Sequence, residues 1–243
     1  MENDFLSVSC SHSFQFFCGS HISCFNECCR DLNQFITPYD VLRLKNSMSM
    51  CANDFLQRYT AQHTGPESGL PIVRLRQKSN DGFKCPFVTP EGCSVYHDRP
   101  SSCRAYPVAR AVVRNRQTGI LTEHFMLLKE PHCKGFQTGK HQSVKAWIEN
   151  QGLVIYNEMN DLLMEIISLK NITMSGSLDL KSRHLFHMAC YDIDSFRDKV
   201  FNKGFLNPDD YDAHLLAGAK EDDTALLRIS LKWLQKKIFG QTG

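Results

Sequence analysis

Apolar residues recur with helical spacing through the second half of the chain. From Leu153 to Ser168 the positions Ile155, Met159, Leu162, Leu163, Ile166 and Ile167 fall on a repeating stripe, and the same period predicts helices over 144–150, 185–189, 194–203 and 224–239. Trp147, Trp233, Leu234 and Ile238 are core candidates of these segments. Earlier, Thr37-Pro38-Tyr39-Asp40 is a helix start. Thr37 is placed to cap, Pro38 suits the first helical position, and Asp40 can reach back to the cap while favouring the positive end of the dipole. That helix is expected to run to about Met48 over Val41, Leu42 and Leu44, followed by a second from Ala52 to Thr60 carrying Phe55, Leu56 and Tyr59.

Between these regions the period shortens. Leu70 to Arg76 alternates apolar and basic residues like a strand with one wet face, and Asn80-Asp81-Gly82 offers a tight turn into a return strand over 83–88. A second hairpin is expected from Val108–Arg114 and Ile120–Leu128 around Gln117-Thr118-Gly119. Residues 1–15 read as a loose lead-in and 61–69 as a loop. The expected fold class is α+β, predominantly helical, with short β-hairpins and a cysteine-lined metal site formed by loops. A cysteine-cluster metal-binding domain would occupy 1–140, and a helical carboxy-terminal part packed on it 141–243.

Composition narrows the function. A net charge of +2 and a pI near 8.0 give no electrostatic case for nucleic acid or an anionic membrane. The acidic pair in Met1-Glu2-Asn3-Asp4-Phe5 stands where a signal peptide would be positive, and no apolar run reaches membrane-span length, so the protein is placed in the cytoplasm. In a reducing compartment, clustered cysteines are ligands or redox groups rather than disulfides.

There are 11 cysteines, and four of them, Cys18, Cys24, Cys28 and Cys29, lie within twelve residues. After a gap of more than fifty residues come Cys85, Cys93 and Cys103, then Cys133. Glycines, prolines and turns flank all eight, as in ligand loops. Cys10, Cys51 and Cys190 stand alone and read as small buried hydrophobes rather than ligands. The eight are expected to converge on one metal centre or two close together. Paired Cys-x2-Cys zinc knuckles are absent, and Cys24-x3-Cys28 followed at once by Cys29 does not fit a radical-SAM loop. On an extended chain Cys28 and Cys29 would face opposite sides and serve two metals, or one metal and a supporting role. An all-sulfur donor set favours an iron–sulfur cluster, of the 4Fe–4S kind for example, over zinc. Arg99 and Arg104 flank Cys103 as candidates to offset thiolate charge, and Tyr106, with Tyr96, packs the loop with a hydroxyl to spare. His132 and His21 are candidate ligands or supporting donors, weighed against plain solvent exposure.

Together Phe17-Cys18, Cys24-Phe25-Asn26-Glu27-Cys28-Cys29, Cys85-Pro86-Phe87, Gly92-Cys93, Arg99-Pro100-Ser101-Ser102-Cys103 and His132-Cys133-Lys134-Gly135 resemble the bacterial cysteine-cluster family of zinc- or iron-chelating domain proteins over about residues 16–136. Where the family has Cys-x2-Cys-x2-Cys-Cys, this chain has wider gaps of five and three residues. The pattern is also distantly similar to the cysteine-rich part of flagellin lysine N-methylases. The resemblance implies a metal-binding protein holding an iron–sulfur cluster, with zinc as the alternative, that works in redox or electron transfer with a protein or redox partner. A cluster-dependent lysine N-methyltransferase, which would also take S-adenosylmethionine, is the enzymatic alternative, and a structural zinc domain for partner binding is the third.

Overall fold

The computed structural model describes residues 5–31, 33–77, 82–114, 118 and 120–240. Helices dominate, and four small antiparallel sheets accompany them among the described residues, which is an α+β fold. The chain divides into two compact units, each assembled from two separated segments. Residues 1–32 join 77–156, and 33–76 join 157–243. A single cut at 140, expected from the sequence, therefore does not describe the partition. The capped helix near Thr37 groups with the carboxy-terminal helices because its apolar stripe is buried with theirs.

In the first unit, strands β1 (Phe5–Val8), β8 (Val108–Arg114) and β9 (Leu121–Leu128) form a sheet in the order β1-β9-β8. Strand β2 (Ser13–Gln15) pairs with β10 (His141–Ser143), and the two-residue strands β6 (Val88–Thr89) and β7 (Gly92–Cys93) pair with each other. The expected hairpin of β8 and β9 is present, with Val108 opposite Leu127 and Arg114 opposite Leu121. Its tip at Gln117 and Gly119 lies outside the described residues. The supposed lead-in supplies two strands, β1 against β9 and β2 against β10. Their partners lie more than a hundred residues on, beyond the reach of a local reading.

Short helix α3 (Ser101–Ala105) precedes β8, and helix α4 (Val144–Asn150) follows β10 with Ser143 capping it through Ala146 N at 3.1 Å. The core of this unit is Phe14, Phe16, Val108, Phe125, Leu127 and Val144, all buried. Phe16 stands at its centre, edge-on to Tyr106, Phe136 and Trp147 at ring separations of 5.9, 5.2 and 5.7 Å. Trp147 donates its indole N–H to the carbonyl of Ala105 at 2.7 Å, so the half-buried ring leaves no orphaned donor.

The second unit holds β3 (Phe35–Ile36), α1 (Pro38–Ser47), α2 (Ala52–Tyr59), β4 (Thr60–Thr64) and β5 (Pro71–Leu75). It also holds most of α5 (Leu153–Thr173), α6 (Leu180–Cys190), α7 (Ile193–Lys203), α8 (Ala213–Gly218) and α9 (Asp223–Phe239). The capping box is formed as expected: Asp40 N donates to Thr37 Oγ1, and Thr37 N donates to Asp40 Oδ2 at 2.9 Å. Strand β5 pairs with β3 and β4 and not with residues 83–88, because 60–64 is a strand already turned back beside it. The expected turn at Asn80 and Asp81 lies outside the described residues. No helix among the described residues is long and apolar enough to cross a membrane.

Candidate metal centre

Three of the cysteine-bearing segments are anchored by a neighbour in the aromatic core. Phe16 fixes the approach to Cys18, Tyr106 the exit from Cys103, and Phe136 the exit from Cys133. Gly135 allows the closest approach. A Cβ there would stand 2.5 Å from the Phe16 ring and 2.8 Å from the Phe17 carbonyl, while the Gly135 carbonyl accepts from Phe17 N at 3.0 Å. The Cys133 segment is thereby laid against the Cys18 segment, and Lys134 N donates to Cys24 Sγ at 3.2 Å.

The first cysteine set is tied to the second by the backbone. Cys85 N donates to the Cys29 carbonyl at 2.8 Å, Asp31 N to the Phe83 carbonyl at 3.1 Å, and Arg30 bridges to Lys84. Asn26 Nδ2 reaches the Thr89 carbonyl at 2.9 Å, and the Phe25 ring packs at Gly92, whose φ of +125° and missing Cβ leave room for it. All eight thiols belong to the first unit, and none is in a disulfide.

Cys28 and Cys29 do not sit on extended chain. They form a 3₁₀ turn over Glu27–Cys29, entered through Asn26 in the left-handed conformation at φ 67°. Consecutive side chains there diverge by a third of a turn, not half. The two sulfurs hydrogen-bond, which corrects the expectation that they face apart. The bond from Cys29 lowers the Cys28 thiol to about 7, against the burial and carboxylates that oppose it, and holds Cys29 itself far above the ordinary thiol range. Of the two, Cys28 is the thiol that ionises more readily.

Charge links all eight sulfurs. Cys18 feels Cys28, Cys24 and Cys133; Cys29 feels Cys85 and Cys103; Cys93 feels Cys28. Cys18 reaches solvent, yet the protein packed around it makes its thiolate costly, and with the neighbouring sulfurs this pushes it up to about 11. Burial likewise raises Cys93. Among the described residues no group of three or more Cys, His, Asp or Glu side chains is arranged to hold an ion as it stands. The donors are soft, and not all are on loops as expected: Cys18, Cys24, Cys85 and Cys133 are, but Cys28 and Cys29 sit on the 3₁₀ turn, Cys93 on β7 and Cys103 on α3. A zinc or iron centre fits their chemistry while its geometry would require the sulfurs to close in.

The flanking residues separate into distinct roles. Arg99 lies over the Tyr96 ring at 3.9 Å and donates to the Tyr96 carbonyl at 2.6 Å and to Gln151 Oε1 at 2.5 Å. Its charge favours the thiolates of Cys18 and Cys93. Arg104 is spent differently. It donates to the carbonyls of Gln151, at 2.7 Å, and of His97, and lies over the Tyr156 ring at 4.9 Å. The Tyr106 hydroxyl is buried beside Cys133 and Glu130 without a well-formed hydrogen bond, and both neighbours raise its pKa on top of burial. His21 is exposed and stacked on Phe17 at 4.9 Å, and His132 is exposed with Nε2 3.7 Å from Glu130. Of the three lone cysteines only Cys190, in α6 of the other unit, is buried as expected; Cys10 and Cys51 are exposed.

Two residues absent from the sequence reading stand at the site. Glu130 acts on both Cys28 and Tyr106, and Gln151 receives both arginines. Only the second had a local signal: Gly152, at φ 62°, marks the helix break that places Gln151.

No curated protein and no solved structure matches the chain, and the expected similarity to flagellin lysine N-methylases is not shown. A family model does match, from Cys18 to Lys134, and this stretch begins at the first of the eight clustered cysteines and ends just past the last. Residues 18–134 match the model of the CxxCxxCC family, described as a "putative zinc- or iron-chelating domain".

Proposed function

We propose that the domain of residues 18–134 chelates iron as an iron–sulfur cluster, with zinc as the alternative ion, through thiolates drawn from Cys18, Cys24, Cys28, Cys29, Cys85, Cys93, Cys103 and Cys133. The observation that carries this reading is the meeting of two cysteine sets from distant parts of the chain, joined at Cys29 and Cys85. Three features support a thiolate-bound centre. The donor set is all sulfur. Cys28 is held near neutrality by Cys29. Arg99 brings positive charge to sulfurs that would otherwise accumulate negative charge.

An iron–sulfur centre supplies one-electron chemistry, which gives the domain a redox or electron-transfer role with a protein partner. Around it, the chain's own residues orient and compensate. Arg99 offsets charge, the buried Tyr106 hydroxyl lies beside Cys133 without a hydrogen bond of its own, and the aromatic core keeps the loops in register.

Anaerobic purification followed by visible spectroscopy and metal analysis tests the reading. A brown protein whose broad band near ~400 nm bleaches with dithionite is expected. A colourless protein loaded with zinc would replace the cluster by the alternative ion, and a protein carrying neither metal would refute chelation.

A further inference from the structure

Gln151 lies outside the matched segment, at the break between α4 and α5, yet its two oxygens take the two arginines that bracket Cys103. The carbonyl accepts from Arg104 and the side-chain Oε1 from Arg99. These contacts are of different kinds. Arg104 ends on backbone carbonyls and ties the loop down. Arg99 is half-buried at a cost to its charge, held from one side by Tyr96 and from the other by Gln151, with Cys93 and Cys103 within reach of its field. Glu27 and Glu130 add negative charge around Cys28, so the group of sulfurs is already electronegative before any metal thiolate forms. Four thiolates around one divalent ion leave a net charge of about −2, which a fixed guanidinium in a partly desolvated place offsets.

We propose that Gln151 is a positioning residue of the thiolate centre: its side-chain oxygen holds the Arg99 guanidinium beside the sulfurs as their counter-charge, and so the working site extends past Lys134 into the α4–α5 junction. This inference rests on the metal-chelating reading given above.

The decisive variant is Gln151→Glu. A carboxylate of nearly the same shape accepts the Arg99 hydrogen bond at least as well, so a mere tether is preserved or strengthened, whereas the counter-charge is cancelled. The anaerobically purified, metal-loaded full chain is mixed with excess chromogenic chelator and the rate of metal release is followed. For iron-loaded protein the midpoint potential is measured as well. Arg99→Gln and Gln151→Glu are expected to release metal about tenfold faster than wild type. In iron-loaded protein both should shift the potential to more negative values, while the metal-free Gln151→Glu protein melts where the metal-free wild type does. Release and potential unchanged in Gln151→Glu overturn the inference and leave chelation standing. Should Gln151→Glu fail to fold, Arg99→Lys and Arg99→Gln decide: slower release from the lysine variant supports the counter-charge, and equal release from both overturns it. A wild-type protein that carries neither zinc nor iron removes the chelating reading and this inference together.

Discussion

The backbone amide of Cys85 donates to the carbonyl of Cys29 at 2.8 Å, joining two cysteines more than fifty residues apart. Sulfurs tied together this way become ligands only if the metal does part of the folding. Cys28→Ser and Cys103→Ser are therefore expected to lose metal and thermal stability together, because ligation free energy is folding free energy in such sites. Cys190→Ser, in α6 of the other unit, should keep its full metal content. Metal analysis beside a melting curve checks all three, and loss of metal from the Cys190 variant would contradict the ligand assignment.

The Cys28–Cys29 pair predicts a pH signature in the metal-free protein. Cys28 is depressed to about 7 from an ordinary value of 9.0, so its contribution to stability is present above the unfolded value and is lost as pH falls through about 7. Cys18, raised to about 11, has the opposite sign: its contribution is present below 9.0 and is lost as pH rises through about 11. Alkylation followed by peptide mapping should place the midpoint of Cys28 near 7 and leave Cys18 largely unmodified there. Cys29→Ala removes the donor, and the Cys28 midpoint should move up toward 9.0.

Gly135→Ala probes the contact between the Cys18 and Cys133 segments. The added Cβ meets the Phe16 ring at 2.5 Å and the Phe17 carbonyl at 2.8 Å, and neither can retreat without moving the core or the chain before Cys18. A cost of roughly 1–3 kcal/mol is expected from such overpacking. Metal occupancy should fall with it, and a variant with wild-type melting and full metal would show that the loops need no such closeness.

The second unit predicts stability effects of its own. Lys45 is 5 % exposed and donates to Asp194 at 3.1 Å and Asp223 at 3.2 Å, while Asp194 also accepts from the Ala52 amide at the start of α2. Lys45→Ala leaves two carboxylates without their shared cation and should cost on the order of 3 kcal/mol. Thr37→Ala, which removes the cap of α1, should cost about 1 kcal/mol. Denaturant titration of the zinc- or iron-loaded protein measures both, with metal content retained under native conditions.

Sequence alone established what is encoded over a few residues. The Thr37 capping box, the ends of α2, α4, α7 and α9, and the β8–β9 hairpin follow from caps, periodicity and strand alternation, each an interaction between near neighbours. The eight clustered cysteines stand out in the same local way, by their spacing and the glycines, prolines and turns beside them. Tertiary structure decided the remainder. It turned 5–8 and 13–15 into strands by pairing them with residues far along the chain, sent β5 to β3 and β4, and folded Cys28 and Cys29 onto a 3₁₀ turn. It also gave the Gln151 side chain to Arg99 and the Gln151 carbonyl to Arg104, although both arginines lie within four residues of Cys103. The reason is common to all of these. Strand partners, side-chain direction and electrostatic neighbours depend on which distant segments pack together, and no spacing within one segment carries that information.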